Sequence, residues 1–359
     1  MLINNKHYRS IWISEDKKSV EIIDQRYLLF EFIIESIDTP TDMALAIKEM
    51  HLRGAPLIGV AAAYGLYLAC LEAHNRDDFD IYIKNSAIIL EKSRPTAVNL
   101  KWAIDRVLKE LSKFSTIGEK ISAAYRMAET MADEDVEICK SIGEHGVKII
   151  ADIYEKTKKT VNILTHCNAG SLACVDFGTA TSVMYEAKRK EIPIHVWVSE
   201  TRPRNQGKLT SWELEQNHIS NTIICDNAAG HLMQNGMVDM VIVGTDRTTK
   251  NGDVANKIGT YLKALAAKDN NIPFYVALPS SSVDFNMESG KSIPIETRCE
   301  SEVLTIDGLK ENKVETVRVF SLYAKASNYG FDVTPSKLIT EFITEKGICN
   351  PGNLYDFLK

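Results

Sequence analysis

The stretch VNILTHCNAGSLACVDFGTATS, Val161–Ser182, changes character twice. It opens as an apolar, β-branched run and passes through the small polar hexad Thr165–Gly170. It then continues into a segment whose pattern reads as a helix, Leu172–Lys190. A short apolar run, a turn and a helical period together specify one βα unit of a parallel sheet. The alternation recurs downstream. VNILT (161–165), IHVWVS (194–199), NTIIC (221–225), DMVIVG (239–244) and PFYVALP (273–279) read as buried strands. Ala228–Asn235 and Asn256–Ala267 read as further helices. Five strands with helical crossovers predict an α/β, Rossmann-like fold: a mostly parallel twisted sheet with helices on both faces.

Upstream the period differs. Ser10–Ile13, Val20–Ile23 and Leu28–Ile34 read as short strands. Asp42–His51 then carries apolar residues at helical spacing, with Thr39 or Thr41 placed to cap it. Arg53-Gly54-Ala55-Pro56 interrupts, and Pro56 opens a very apolar helix running to Ala73. Asn99–Leu111 and a long segment from near Ile117 complete a helical bundle. The expected organisation is a smaller N-terminal domain of strands and helices, residues 1–155, followed by a Rossmann-like catalytic domain, residues 156–359.

The 359 residues are 45% hydrophobic and 25% charged, the composition of a soluble globular protein. A net charge of −6 disfavours nucleic acid as the main partner. The basic cluster Lys156–Lys159 reads as a solvated helix end. Seven cysteines, with no C-x-x-C pair, suit a reducing cytoplasm, most of them as small buried hydrophobes. The N-terminus lacks a signal-peptide pattern, and no apolar run approaches the roughly 20 residues that cross a bilayer. The expected setting is cytoplasmic, without a membrane partner.

In open parallel sheets ligands bind beyond the carboxyl ends of the strands. The residues there are THCNAG, SETRPRNQGK, CDNAAG, GTDRTTKNGD and LPSSS, all polar, small or charged. Cys167 is expected just before a helix N-terminus, where the dipole lowers a thiol's pKa. Its polar neighbours favour a functional thiol, whereas Cys174 and Cys225 read as buried hydrophobes. Asp246 lies on the same edge; a turn aspartate fits its spacing as well as a general acid does. Gly252, Asp253, Asn256 and Lys257 read as a loop before a helix, suited to a phosphate. Arg53 and Arg94 stand beside helix breakers, Gly54 and Pro95, and either a phosphate grip or a solvent-facing role fits them. The eight histidines show no metal-ligand spacing, and neither G-x-G-x-x-G after a strand nor a Walker loop occurs. No metal or organic cofactor is therefore expected. A Cys167–His166 dyad is disfavoured because neighbours on a strand end point to opposite faces.

Five segments in order resemble the 5-methylthioribose-1-phosphate isomerase family. They are Arg53-Gly54-Ala55-Pro56, THCNAG (165–170), E-T-R-P-x-x-Q-G (200–207), G-T-D-R (244–247) and N-K-I-G-T (256–260). F-D-V-T-P (331–335) and I-T-E-K-G (343–347) extend the likeness to nearly the whole chain. Ribose-1,5-bisphosphate isomerases and regulatory subunits of a translation initiation exchange factor share that fold. The resemblance implies Cys167 and Asp246 as the catalytic pair, and Arg53, Gly54, Ala55, Arg94, Gln206, Asn256 and Lys257 as substrate-binding positions. It implies a cytoplasmic homodimer in methionine salvage, without metal or cofactor, converting an aldose 1-phosphate to a ketose 1-phosphate. The chain departs from the family at Val175-Asp176-Phe177, after Gly207, and at 227–230, 295–298 and 329–330. These departures bear on the 5-substituent, so an isomerase of 5-deoxyribose 1-phosphate is the alternative. A non-catalytic sugar-phosphate sensor or exchange-factor-like subunit is a further one.

Overall fold

The computed structural model describes residues 1–4, 6–94, 98–311 and 313–359; Pro95, the breaker expected beside Arg94, lies outside them. The N-terminal part begins with the pair β1 (Leu2–Ile3) and β2 (Lys6–His7). It continues with an antiparallel meander of β3 (Ile11–Ile13), β4 (Val20–Ile23) and β5 (Ile34–Ile37). The expected strand Leu28–Ile34 is displaced to Ile34–Ile37. Phe30 and Glu31 both donate to the Tyr27 carbonyl at 3.0 Å, closing a turn where an extended chain was expected.

Helices follow: α1 (Pro40–Lys48), α2 (Ala55–Glu72), α3 (Phe79–Ser93), α4 (Val98–Leu111) and α5 (Ile117–Thr157). Thr39 caps α1, its Oγ1 accepting from Asp42 N–H at 3.1 Å. By length and composition α2 is apolar enough to cross a membrane, contrary to the expectation of no such run. It is buried from Leu57 through Cys70, because α1, α3, α4 and α5 pack around it. The 41-residue α5 belongs to two cores: Ala124, Ala128 and Met131 pack with α2, whereas Ile142, Val147 and Ile150 pack on the sheet.

Beyond α5 come β6 (Val161–Thr165), α6 (Ala180–Arg189), β7 (Ile194–Ser199), α7 (Gly207–Gln216), β8 (Asn221–Ile224), α8 (Ala228–Gln234) and β9 (Met240–Val243). Next are β10 (Arg247–Thr249), β11 (Val254–Lys257), α9 (Thr260–Asp269), β12 (Phe274–Ala277) and β13 (Val283–Asp284). Then α10 (Ser301–Leu304), β14 (Thr305–Lys310), β15 (Lys313–Arg318), β16 (Phe331–Thr334), β17 (Glu341–Thr344), β18 (Gly347–Cys349) and α11 (Leu354–Leu358) complete the chain. The sheet has seven strands where five were expected, in the order β18-β17-β12-β9-β6-β7-β8. The five expected strands form a contiguous parallel block that ends at the outer strand β8, β17 extends it in parallel on the other side, and β18 closes that edge antiparallel. Alternation along the strands sends Ile163, Met240, Ile242 and Ile343 to the face covered by α5 and α6. Leu164, Val241, Val243 and Phe342 face α8, α9 and α11. Helices thus cover both faces of a doubly wound sheet.

Three local expectations need correction. The helix expected at Leu172–Lys190 is a single 3₁₀ turn at Ser171–Ala173, then irregular chain, and begins only at Ala180. Asn256 and Lys257 lie on β11, not in a loop or helix, since Gly259 at φ +99° ends the strand before α9 starts. Cys225, expected to be buried, is exposed.

One buried group couples the fold to pH. Asp135 on α5 accepts from Val175 N–H at 2.7 Å, and burial pushes its carboxyl up to about 7. An unfolded aspartate titrates near 3.9, so the native state holds this proton more tightly. Its contribution to stability is complete below about pH 4 and is lost as pH rises through about 7. Between pH 6 and pH 8 wild-type stability should fall by about 1.4 kcal/mol more than that of Asp135→Asn, which keeps an acceptor but no titration. Urea unfolding at both pH values measures the difference, and equal changes in the two proteins contradict it.

Candidate active site

The site gathers at the carboxyl ends of β6, β7 and β9. Cys167 follows β6 at φ +66°, a left-handed conformation unusual for a residue with a side chain. Asp246 follows β9, and its N–H donates to the Ala255 carbonyl at 3.0 Å. That bond starts the antiparallel hairpin β10–β11, which returns the chain so that Asn256 and Lys257 come back beside Asp246. The hairpin is the reason residues ten positions apart share one site.

Arg53 and Gly54 enter from the helical layer. Gly54, at φ +110°, precedes α2, and a Cβ there would lie 2.3 Å from the Ala173 carbonyl oxygen. Only glycine lets this backbone approach the turn after Cys167. The adjacent Arg53 then reaches Asn168, donating to its Oδ1 at 2.7 Å. Gln206 precedes α7, and its buried Oε1 has no hydrogen-bond partner among the described residues. Arg94 ends α3, with Nε 3.7 Å from Glu296 Oε2.

Cys167, Asp246, Arg53, Gly54, Ala55, Arg94, Gln206, Asn256 and Lys257 all line one cavity, with Met50, Pro279 and Phe331 among its apolar walls. A wider cleft adjoins it through Met50, Arg53 and Gln206 and carries Arg204, Lys208 and Asp307. The CDNAAG turn does not reach the cavity, because β8 is the outer strand. Val175, Asp176 and Phe177, expected to bear on the 5-substituent, do not line it either; Asp176 bonds His7 Nε2 at 2.6 Å.

Cys167 and Asp246 are partly open to this cavity, while Arg53, Arg94, Gln206, Asn256 and Lys257 are each less than 10% exposed. Burial raises the Cys167 thiol's pKa, and Arg53 and Lys257 act against it. This corrects the expectation of a thiolate favoured by a helix dipole, since that helix begins thirteen residues later. Burial also raises the Asp246 carboxyl; Lys257, Arg94 and Arg53 oppose the shift and Glu296 adds to it. Lys257 is lowered by burial, against the pull of Cys167 and Asp246. The cavity therefore offers buried cations for an anion, an acid biased toward its protonated form and a neutral thiol. His166 is fully buried, with Nε2 2.8 Å from the Ile258 carbonyl, and serves the fold rather than a dyad.

Sequence pattern alone missed the groups behind the site. Glu213 on α7 accepts from Asn168 Nδ2 at 2.9 Å and from the N–H groups of Ser171 and Leu172 at 2.8 and 3.0 Å. It shapes the hexad from behind, and a Cβ on Gly170 would lie 1.9 Å from its Oε2.

The initiation factor 2 subunit family model matches residues 51–351. The methylthioribose-1-phosphate isomerase of Desulfosudis oleivorans is 53% identical over 96% of this chain and 94% of its own. That of Escherichia coli O45:K1 is 52% identical over 97% and 94%. Among solved structures, 5-methylthioribose 1-phosphate isomerase from Pyrococcus horikoshii OT3 superposes with a TM-score of 0.84 at 39% identity, covering 98% of this chain and 96% of that one. The translation initiation factor eIF-2B subunit delta from A. fulgidus gives 0.80 at 37%, covering 98% and 99%. The chain belongs to the initiation factor 2 subunit family and groups with its methylthioribose-1-phosphate isomerases.

Proposed function

We infer that the protein is an aldose–ketose isomerase converting 5-methylthioribose 1-phosphate to 5-methylthioribulose 1-phosphate. The observation that carries this is one cavity joining buried cations, an acid with a raised pKa and a thiol. It occurs in a chain matching such isomerases at 50% identity and above over nearly its whole length.

Phosphate on the anomeric carbon locks the substrate as a furanose without a free aldehyde. Asp246 donates its proton to the ring oxygen as the C1–O bond breaks, leaving an electron-poor C1 that still carries phosphate. Hydrogen then moves from C2 to C1 while the C2 hydroxyl proton returns to the Asp246 carboxylate, so the acid is regenerated. The hydrogen travels either as a proton through Cys167 and an enediol, or directly with its electron pair. The raised thiol pKa favours the second route, with Cys167 as a dipole beside the reacting carbons. Arg53, Arg94, Asn256 and Lys257 hold the phosphate, and Gln206 Oε1 accepts from a sugar hydroxyl.

The deciding experiment compares kcat/KM for the methylthio and 5-deoxy sugar phosphates. Preference for the methylthio sugar is expected. A tenfold preference for the deoxy sugar, about 1.4 kcal/mol, assigns the other activity, and turnover of neither assigns a sensor. Lys257→Met should raise KM by ten- to a hundredfold with kcat within about threefold, as expected for one hydrogen bond to a charged group. Steady-state kinetics checks this; an unchanged KM removes Lys257 from phosphate binding. We also propose a cytoplasmic homodimer without nucleic-acid or membrane partners, consistent with a net charge of −6. A light-scattering mass of one 40.1 kDa chain, and not two, would count against the dimer.

A further inference from the structure

The Cys167 peptide is held on both sides by threonine hydroxyl groups from other elements. Thr201, after β7, accepts the Cys167 N–H on Oγ1 at 2.9 Å, and the same hydroxyl donates to the Ser199 carbonyl at 2.9 Å. Thr210, on α7, donates to the Cys167 carbonyl at 2.8 Å and accepts from Asn168 Nδ2 at 3.0 Å. Both are at most 1% exposed, and neither lines the cavity.

Thr201 is itself constrained. It sits at φ +65°, and a β-branched residue rarely adopts that conformation without outside support. The support is Asp226, whose carboxylate accepts from Thr201 N–H at 2.9 Å, Arg202 N–H at 2.7 Å and Ser199 Oγ at 2.5 Å. Two left-handed residues, Cys167 and Thr201, therefore face each other across the ends of the paired strands β6 and β7. Such strain persists where the surroundings over-determine it.

We propose that Thr201 and Thr210 are positioning residues for the isomerisation: their hydroxyl groups lock the Cys167 backbone in its left-handed conformation and so aim the thiol at the sugar. The proposal rests on the reading that Cys167 works at the reacting carbons. Valine matches threonine in shape but offers no acceptor to the Cys167 N–H and no donor to its carbonyl. A buried peptide group left without a partner relaxes the backbone until it finds one. Arg53 and Lys257 stand on other elements, so the loss at Thr201 falls on turnover and not on the phosphate grip.

The test compares Thr201→Val, Thr201→Ser, Thr210→Val and Thr210→Ser with wild type for kcat, KM and the rate at which iodoacetamide alkylates Cys167. Thr201→Val should lower kcat at least tenfold with KM within twofold and change the alkylation rate at least threefold. Thr201→Ser should stay within threefold of wild type on all three. Thr201→Val turning over within twofold of wild type, or Thr201→Ser failing as badly as Thr201→Val, overturns the proposal. If Thr201→Val does not fold, valine against serine at Thr210 decides on kcat and the alkylation rate alone, because Thr210 also holds Asn168, which carries Arg53. Near-normal turnover in Cys167→Ser would instead sink the reading of the thiol. The clamp is then judged by the alkylation rates alone, unchanged rates in both valine variants ending it.

Discussion

Asp246→Asn is expected to lower kcat at least 100-fold at pH 7 while leaving KM within about threefold. Asparagine keeps the size and the acceptor of the side chain but has no acidic proton for the ring oxygen. The backbone of the site should survive, since the hairpin bond at this position runs from Asp246 N–H to the Ala255 carbonyl. The direction of the pH dependence follows from the raised carboxyl pKa, caused chiefly by burial. The acid must carry its proton to act, so kcat/KM falls as pH rises through that raised value. In Asp246→Asn the residual activity should lack this alkaline limb. A pH–rate profile checks both claims. Near-normal turnover removes Asp246 from the mechanism, and an unchanged alkaline limb assigns the limb to another group.

The five-stranded parallel block of the sheet and the positions of Cys167 and Asp246 were legible because apolar strands and strand-end polarity are local signals. The elements that escaped notice have physical reasons for doing so. In α7 the buried residues Leu209, Thr210, Ser211, Glu213 and Leu214 mix apolar with polar side chains. Thr210 and Glu213 are buried because they hold the neighbouring hexad, which erases the amphipathic stripe that marks a helix. In β11 all four residues, Val254 through Lys257, are buried, so no alternation distinguishes the strand from a helix start. β17 and the edge strand β18 are short and joined by a tight turn. Cys167 was found from its polar neighbours and strand-end position, which the fold supplies, whereas the helix dipole assumed to lower its pKa is absent and burial sets the thiol's state. The raised pKa of Asp246 comes chiefly from burial, which Lys257, Arg94 and Arg53 oppose and Glu296 reinforces, and no local stretch encodes that balance.

Cys167→Ser should also lose at least 100-fold in kcat, and the size of its loss separates two chemistries. A neutral thiol cannot accept a proton, so a base at Cys167 must first become a thiolate. Arg53 and Lys257 favour that step and burial opposes it. A serine hydroxyl is far harder to ionise, and in the base role it would fail almost completely. In the dipolar role serine keeps a donor and a dipole at the same place, but it is shorter and less polarisable than sulfur. A 100-fold loss, about 2.7 kcal/mol, is what mutagenesis finds for removing one preorganised stabilising group. A loss beyond about 10⁴ would exceed that and indicate the base. Turnover in heavy water gives an independent readout. Transfer as a proton exposes the hydrogen to exchange and places solvent deuterium on C1, whereas a direct shift with its electron pair does not. The raised thiol pKa leads us to expect little deuterium in the product. Extensive incorporation, together with a loss beyond 10⁴ in Cys167→Ser, would establish the thiolate. It would also mean that the two cations overcome both the burial that holds the proton on sulfur and the opposing negative charge of the bound phosphate.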